Sequence, residues 1–242
     1  MIRASKQLES IINDKFHGSA ELAENLITLV KENNNNFDFL NEVCRQSLSK
    51  LHHFPVITDF IEKLRPLIVS AQSARILIFT NAYQSGISKK YQIISGKALK
   101  CLNNKNSILT ISHSKTLLEV FKLLNKKIKR LHLVVCESRP DLEGIQFHNE
   151  LVKAGIKASL ITEAGASEEF ENIDYVIIGA DQILNNGVVN KTGSRMLAIL
   201  ALYFNKKVFV FATKEKRVNN KDIINKNFEF IEKELIAKII TD

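Results

Sequence analysis

The sequence predicts an α/β protein in two parts: an N-terminal helical domain over residues 1–104, then a doubly wound parallel-sheet, Rossmann-like domain over 105–242. Three observations carry this. In the first hundred residues apolar side chains recur at spacings of three and four, the period of one helical face. After residue 105 the rhythm changes to short apolar runs, most of them separated by amphipathic stretches of ten or more residues, as in a parallel sheet wrapped by helices. The runs also empty into polar clusters, most plainly in "IIGADQILNNGVVNKTGS" (177–194). There Tyr175 and Val176 to Ile178 suit a strand covered on both faces, and the polar cluster follows at its carboxyl end.

Each element follows in order. Gly18 can cap "SAELAENLITLVKE", with Glu21 three positions on and Leu22, Leu26, Leu29 and Val30 on one face. "ENNNNFD" (32–38) reads as a connection to a second helix carrying Phe39, Leu40, Val43 and Leu48, and His53-Phe54-Pro55 as another break. "ARILIFT" (74–80) suits either a short strand or a buried helical segment and is taken as helix. Strands are expected at 107–111, 131–136, 157–162, 173–179 and 207–212. Between them "TLLEVFKLLNKK" and "DLEGIQFHNELVKAG" have helical spacing, the latter closing on Gly155, and "TGSRMLAILALYF" forms a further helix.

Composition excludes several classes. At 242 residues and 45% apolar content the chain can bury a core. Lys plus Arg (34) exceed Asp plus Glu (26), which suits anionic ligands; a solvated lysine-rich surface would give the same balance. Cys44, Cys101 and Cys136 stand far apart without CxxC spacing, so neither a disulfide framework nor a metal site is expected, and a reducing cytoplasm fits. No apolar run approaches the ~20 residues that cross a bilayer, and the N-terminus lacks the apolar stretch of a signal peptide, so no membrane partner is expected. Neither G-x-G-x-x-G nor G-x-x-x-x-G-K-[ST] occurs, which argues against an ordinary dinucleotide enzyme or P-loop ATPase, and no cofactor is expected.

In open parallel sheets ligands sit beyond the strands' carboxyl ends. The exits here carry Ser112, His113, Ser114 and Lys115; Glu137, Ser138 and Arg139; Asp181; and Thr213, Lys214 and Lys216. Apart from Glu137, which neighbours Arg139, one acid thus faces several cations and hydroxyls, which suits a phosphorylated, polyhydroxylated ligand. Taken singly each residue has a plain structural reading: Asp181 as a helix N-cap, Asn190 and Lys191 as a polar turn, Arg139 in a salt bridge to Glu137 or Glu143.

These segments carry a resemblance. "SILTISHSKTLLEVF" (107–121), "VVCESRPDLEG" (134–144) and "IDYVIIGADQILNNGVVNKTGS" (173–194), with "KFHGSAELAENL" (15–26) and "FEFIEKELIAKIITD" (228–242), are similar to one family. It unites the alpha, beta and delta regulatory subunits of eukaryotic initiation factor two B with the isomerases of methylthioribose 1-phosphate and ribose 1,5-bisphosphate. The resemblance implies that Asp181 is the active-site acid and that Asn190 and Lys191 lie in a loop holding sugar hydroxyls and phosphate. It makes Arg139 the phosphate-gripping arginine, aligns Lys216 with a lysine after the last central strand, and matches Gly18 and Ser19 to a helix start that closes over the ligand. It also implies a homodimer through the α/β domain, or pairing with a family-related subunit.

Two departures qualify the expected chemistry. Ser112 stands where the isomerases carry a cysteine, with Ile111 where a histidine is common. Aldose–ketose isomerisation needs acid and base groups to move a proton, or a hydride passed between carbons, and a serine is a far weaker acid and base than a thiol whose pKa falls near cations. Cys136, ending a strand, reads as a core residue rather than a substitute. His17-Gly18-Ser19 also replaces the isomerases' R-G-A. The expectation is an initiation factor two B alpha-like protein that binds a phosphorylated sugar or nucleotide at the strand exits with weak or no catalysis; nucleic acid is not the expected partner. Alternatives are an active sugar-phosphate isomerase and a translation-related interaction subunit with an idle pocket.

Overall fold

A computed structural model describes residues 2–14, 17–102, 107–221 and 226–242. The chain divides into two compact units, Met1–Lys89 and Lys90–Asp242. The boundary expected at 104 falls outside the described residues.

The first unit is helical: α1 (Ile2–Ile12), α2 (Ser19–Glu32), α3 (Phe37–Lys50), α4 (Pro55–Val69) and the start of α5 (Ser73–Leu102). "ARILIFT" is therefore helix, as expected. Gly18 is the N-cap of α2, and the Asn36 side chain caps α3 by accepting from the Phe39 amide. Pro55 opens α4, where its missing N–H costs nothing. Leu22, Leu26, Leu40, Val43, Ile57 and Phe60 are buried at helical spacing, each worth about 1.5–3 kcal/mol relative to exposure.

The second unit alternates strand and helix: β1 (Ser107–Ile111), α6 (Lys115–Asn125), β2 (His132–Cys136), α7 (Glu143–Lys153), β3 (Lys157–Ile161), α8 (Ala166–Glu169) and β4 (Tyr175–Ile178). It continues with β5 (Gln182–Leu184), β6 (Gly187–Lys191), α9 (Ser194–Tyr203), β7 (Lys207–Phe211), β8 (Phe228–Glu232) and β9 (Lys238–Ile240). Six strands form a wholly parallel sheet in the order β3-β2-β1-β4-β7-β9. The order reverses between β1 and β4, the switch point where such sheets open a crevice at their carboxyl ends. Ile111 pairs with Cys136, and Cys136 with Ile161, so the first three strands end level. All five expected strands are present within two residues of their bounds.

One expectation is corrected. The polar stretch after β4 is not a loop: β5 and β6 form a hairpin that pairs with β8 in a separate antiparallel sheet. Asn190 and Lys191 are strand residues, because β6 lies between two partners and is buried along its length. Val188 and Ile231 carry the small sheet into the core of the large one, beside Val176, Val210, Leu197 and Ala201.

Candidate functional site at the strand exits

Two sets of polar side chains lie at the carboxyl ends of the parallel strands. The first follows β4 and β7. Asp181 is 8% exposed and its amide donates to the Val189 carbonyl at 2.8 Å, so the hairpin itself fixes the acid. Lys216, 4% exposed, sits in the helical turn Lys214–Lys216 after β7 and donates from Nζ to the Ala180 carbonyl at 2.5 Å. Burial pushes its pKa below the ordinary lysine value, and the Asp181 carboxylate pulls the other way. Asn190 donates to Ser194 Oγ at 2.8 Å, which in turn donates to the Lys191 carbonyl at 2.7 Å. Gly179 lets these walls close: a Cβ there would stand 3.2 Å from Ser114 Oγ and 3.7 Å from Asn190 Oδ1.

The second set follows β1 and β2. Ser112 and Ser138 both take left-handed backbone, φ 69° and 67°. The Ser112 amide donates to Ser138 Oγ at 2.7 Å, and Ser112 Oγ donates to Glu143 Oε1 at 2.9 Å. Glu143 is the first residue of α7 and 6% exposed; its Oε2 has no hydrogen-bond partner among the described residues. Gly144 brings this helix start onto the strand, since a Cβ would stand 1.8 Å from the Cys136 carbonyl oxygen. Lys191 Nζ lies 3.7 Å from Glu143 and 3.8 Å from Asp141, and Asn227 donates to Asp141 at 2.6 Å. The two sets thus meet through β6, which carries Asn190 and Lys191.

Arg139 is placed differently. Its side chain is 66% exposed and bridges Glu137 at 3.2 Å, while its amide and that of Ser138 donate to Glu163 Oε1 at 3.1 and 2.6 Å. A cavity of about 510 Å³ opens here, lined by Arg139, Glu163, Thr162 and Thr192 together with Ala164, Gly193 and Met196. Gly18 and Ser19 belong to the first unit, Ser19 buried at the start of α2. His17 is held by Asp14, Nδ1 to Oδ2 at 2.6 Å, with Glu21 at 3.6 Å from Nε2. Cys136 is fully buried and its thiol is pushed up to about 12, by burial first and then by the Glu163 carboxylate, so it is no thiolate nucleophile.

The expected balance of one acid facing several cations is also corrected. Glu137, Asp141, Glu143 and Glu163 join Asp181 at the exits, and Arg139 and Lys191 each face a carboxylate. Glu143 and Glu163 gather there because α7 and the turn after β3 fold back over neighbouring strand ends. The one local hint was an acid beside a glycine at the head of a helical pattern, Glu143-Gly144. Among the described residues no group of three or more His, Cys, Asp or Glu is placed to hold a metal ion, and no helix is long and apolar enough to cross a membrane.

A helical unit ahead of a parallel sheet whose switch-point exits bury acid and amine side chains defines a two-unit Rossmann-like α/β protein. The chain belongs to the Initiation factor 2 subunit family, whose sequence model matches residues 2–239. Among curated relatives, translation initiation factor eIF2B subunit alpha of Dictyostelium discoideum is 34% identical over 138 residues, 54% of this chain and 43% of that one. A methylthioribose-1-phosphate isomerase of Bacillus thuringiensis is 38% identical over 131 residues, 49% of this chain and 37% of that one. The matches thus span less than half the length of either relative. Among solved structures, the Pyrococcus horikoshii translation initiation factor eIF-2B superposes with a TM-score of 0.83 at 20% identity, covering 99% of this chain and 94% of that one. The 5-methylthioribose 1-phosphate isomerase of the same organism gives 0.80 at 17%, covering 98% and 82%. At these identities the likeness speaks for the fold alone.

Proposed function

We propose that this protein binds a phosphorylated sugar or nucleotide at the strand exits of its α/β unit and catalyses its isomerisation weakly or not at all. The observation that carries the reading is the burial of Asp181, Lys191 and Lys216, none more than 8% exposed, at the switch-point end of the sheet. Buried charges are costly, and their gathering at a switch-point crevice, where sheets of this kind take their ligands, favours a binding role over a purely structural one. In this reading Asp181 orients hydroxyls, Asn190 and Lys191 complete the wall, and Arg139 swings from the surface to meet the anionic end.

Weak catalysis is supported by Ser112. Its hydroxyl already donates to Glu143 and has no thiol's acidity with which to move a proton. The isomerase alternative draws on the printed name of the Bacillus relative and on the retained Asp181. Exposed Ile199, Leu202 and Tyr203 on α9 support a second copy or a family-related subunit as partner, and the setting is proposed to be cytoplasmic. A thermal shift with ribose 5-phosphate tests the central reading, because a ligand that binds only the folded state raises the melting temperature. Stabilisation that saturates is expected; none at millimolar concentrations leaves an idle pocket.

A further inference from the structure

We infer that the paired amides of Ser138 and Arg139 form a phosphate subsite, and that Glu163 is an internal anion which fills it and sets the affinity for phosphate esters. Consecutive backbone N–H groups in a left-handed turn form a concavity suited to an anion. Ser138 has φ 67°, and both amides converge on a single oxygen, Glu163 Oε1, at 2.6 and 3.1 Å. Charge-assisted contacts of this kind fit a phosphate oxygen equally well. Glu163 is half-buried and lines the cavity of about 510 Å³, so an incoming ligand has room beside it. That volume lies within the range of small-molecule sites. Arg139 lines the same cavity; its side chain is 66% exposed, and on binding its guanidinium would exchange Glu137 for the phosphate. The remaining lining mixes the hydroxyls of Thr162 and Thr192 with Ala164, Gly193 and Met196. A phosphate monoester entering the subsite displaces the Glu163 carboxylate, and the two anions compete for the same donors.

This rests on the phosphosugar reading above, and the test separates the two. Glu163→Gln keeps an accepting oxygen for the amides and removes the charge. Isothermal titration of the wild type and of Glu163→Gln with ribose 5-phosphate should show the variant roughly tenfold tighter, the effect of removing a like charge from the site. Unphosphorylated ribose should show no such gain. Equal or weaker binding by Glu163→Gln overturns the inference and makes Glu163 a strut for the turn. No heat from ribose 5-phosphate with either protein defeats the phosphosugar reading, and this inference with it. Should the variant not fold, nitrogen-15-labelled wild type serves instead. The Ser138 and Arg139 amide resonances should move as ribose 5-phosphate is added, and amides that stay still while binding heat is released overturn the inference.

Discussion

The exits of β4 and β7 and the exits of β1 and β2 solve different problems. After β4 and β7 an acid and an amine are buried together: Asp181 is fixed by the hairpin, and Lys216 is held on the Ala180 carbonyl with its pKa lowered by burial. After β1 and β2 stand hydroxyls and carboxylates: Ser112 on Glu143, the Ser112 amide on Ser138, and the Ser138 and Arg139 amides on Glu163. The first half keeps charge out of water, which is costly and suited to gripping a ligand. The second half ties the Ser112 hydroxyl and the Ser138 and Arg139 amides to carboxylates, and that hydroxyl lacks the acidity of a thiol. The proposed division between holding a sugar and converting it rests on this difference between the two halves.

The largest expected effect falls on the second half. If only the proton-transfer group is missing there, Ser112→Cys should raise isomerisation of ribose 1,5-bisphosphate by about 10²–10⁴-fold, the usual worth of such a group. Rates followed by carbon-13 NMR check this, and no gain despite tight binding would mean that Glu143 and its neighbours have diverged as well. Next in size, Lys191→Ala should weaken ribose 5-phosphate binding by about 1.5–3 kcal/mol, as for hydrogen bonds to charged groups. Calorimetry that finds affinity unchanged would leave Lys191 as a partner of Asp141 and Glu143 only.

The lowered pKa of Lys216 gives a pH dependence of fixed sign. Below its folded-state pKa Lys216 is protonated in both states and the folded chain carries the burial penalty. As pH climbs toward the ordinary lysine range the unfolded state holds more protons, so stability from this group rises with pH. Melting temperatures across that range should show a rise in the wild type that flattens in Lys216→Met. A rise of the same size in the variant would assign it to another group. The smallest effect concerns thiols: under native conditions iodoacetamide should modify the partly exposed Cys101 before Cys44 or Cys136, whose thiols burial pushes up to about 11 and 12. Early loss of Cys136 would show that the end of β2 opens.

The inner strands of the large sheet were legible because they are short apolar runs buried along nearly their whole length, as in β4 and β7, and such runs announce themselves without knowledge of their neighbours; the three-residue edge strand β9 was not expected. The hairpin was not read, although "LNNGVV" contains an Asn-Gly pair, because β5 has three residues and the second partner of β6, β8, lies some forty residues on. For the same reason Asn190 and Lys191 were taken as loop. Residues proposed for the site from their place after strands, Ser112, Asp181 and Lys216, do lie at the strand ends. Their carboxylate neighbours Glu143 and Glu163 were illegible, because what brings them there is strand order and the close approach allowed by Gly144, neither of which is local in sequence.

The proposal that the site binds a phosphosugar without converting it is tested most directly by adding carbon-13-labelled ribose 1,5-bisphosphate to the wild type and to Asp181→Asn, with binding and conversion followed on the same samples. The expected result is saturable binding by the wild type, weaker binding by Asp181→Asn, and no aldose-to-ketose conversion by either beyond the buffer rate. Rapid turnover by the wild type that disappears in Asp181→Asn would contradict the account and make the protein an isomerase working without the thiol.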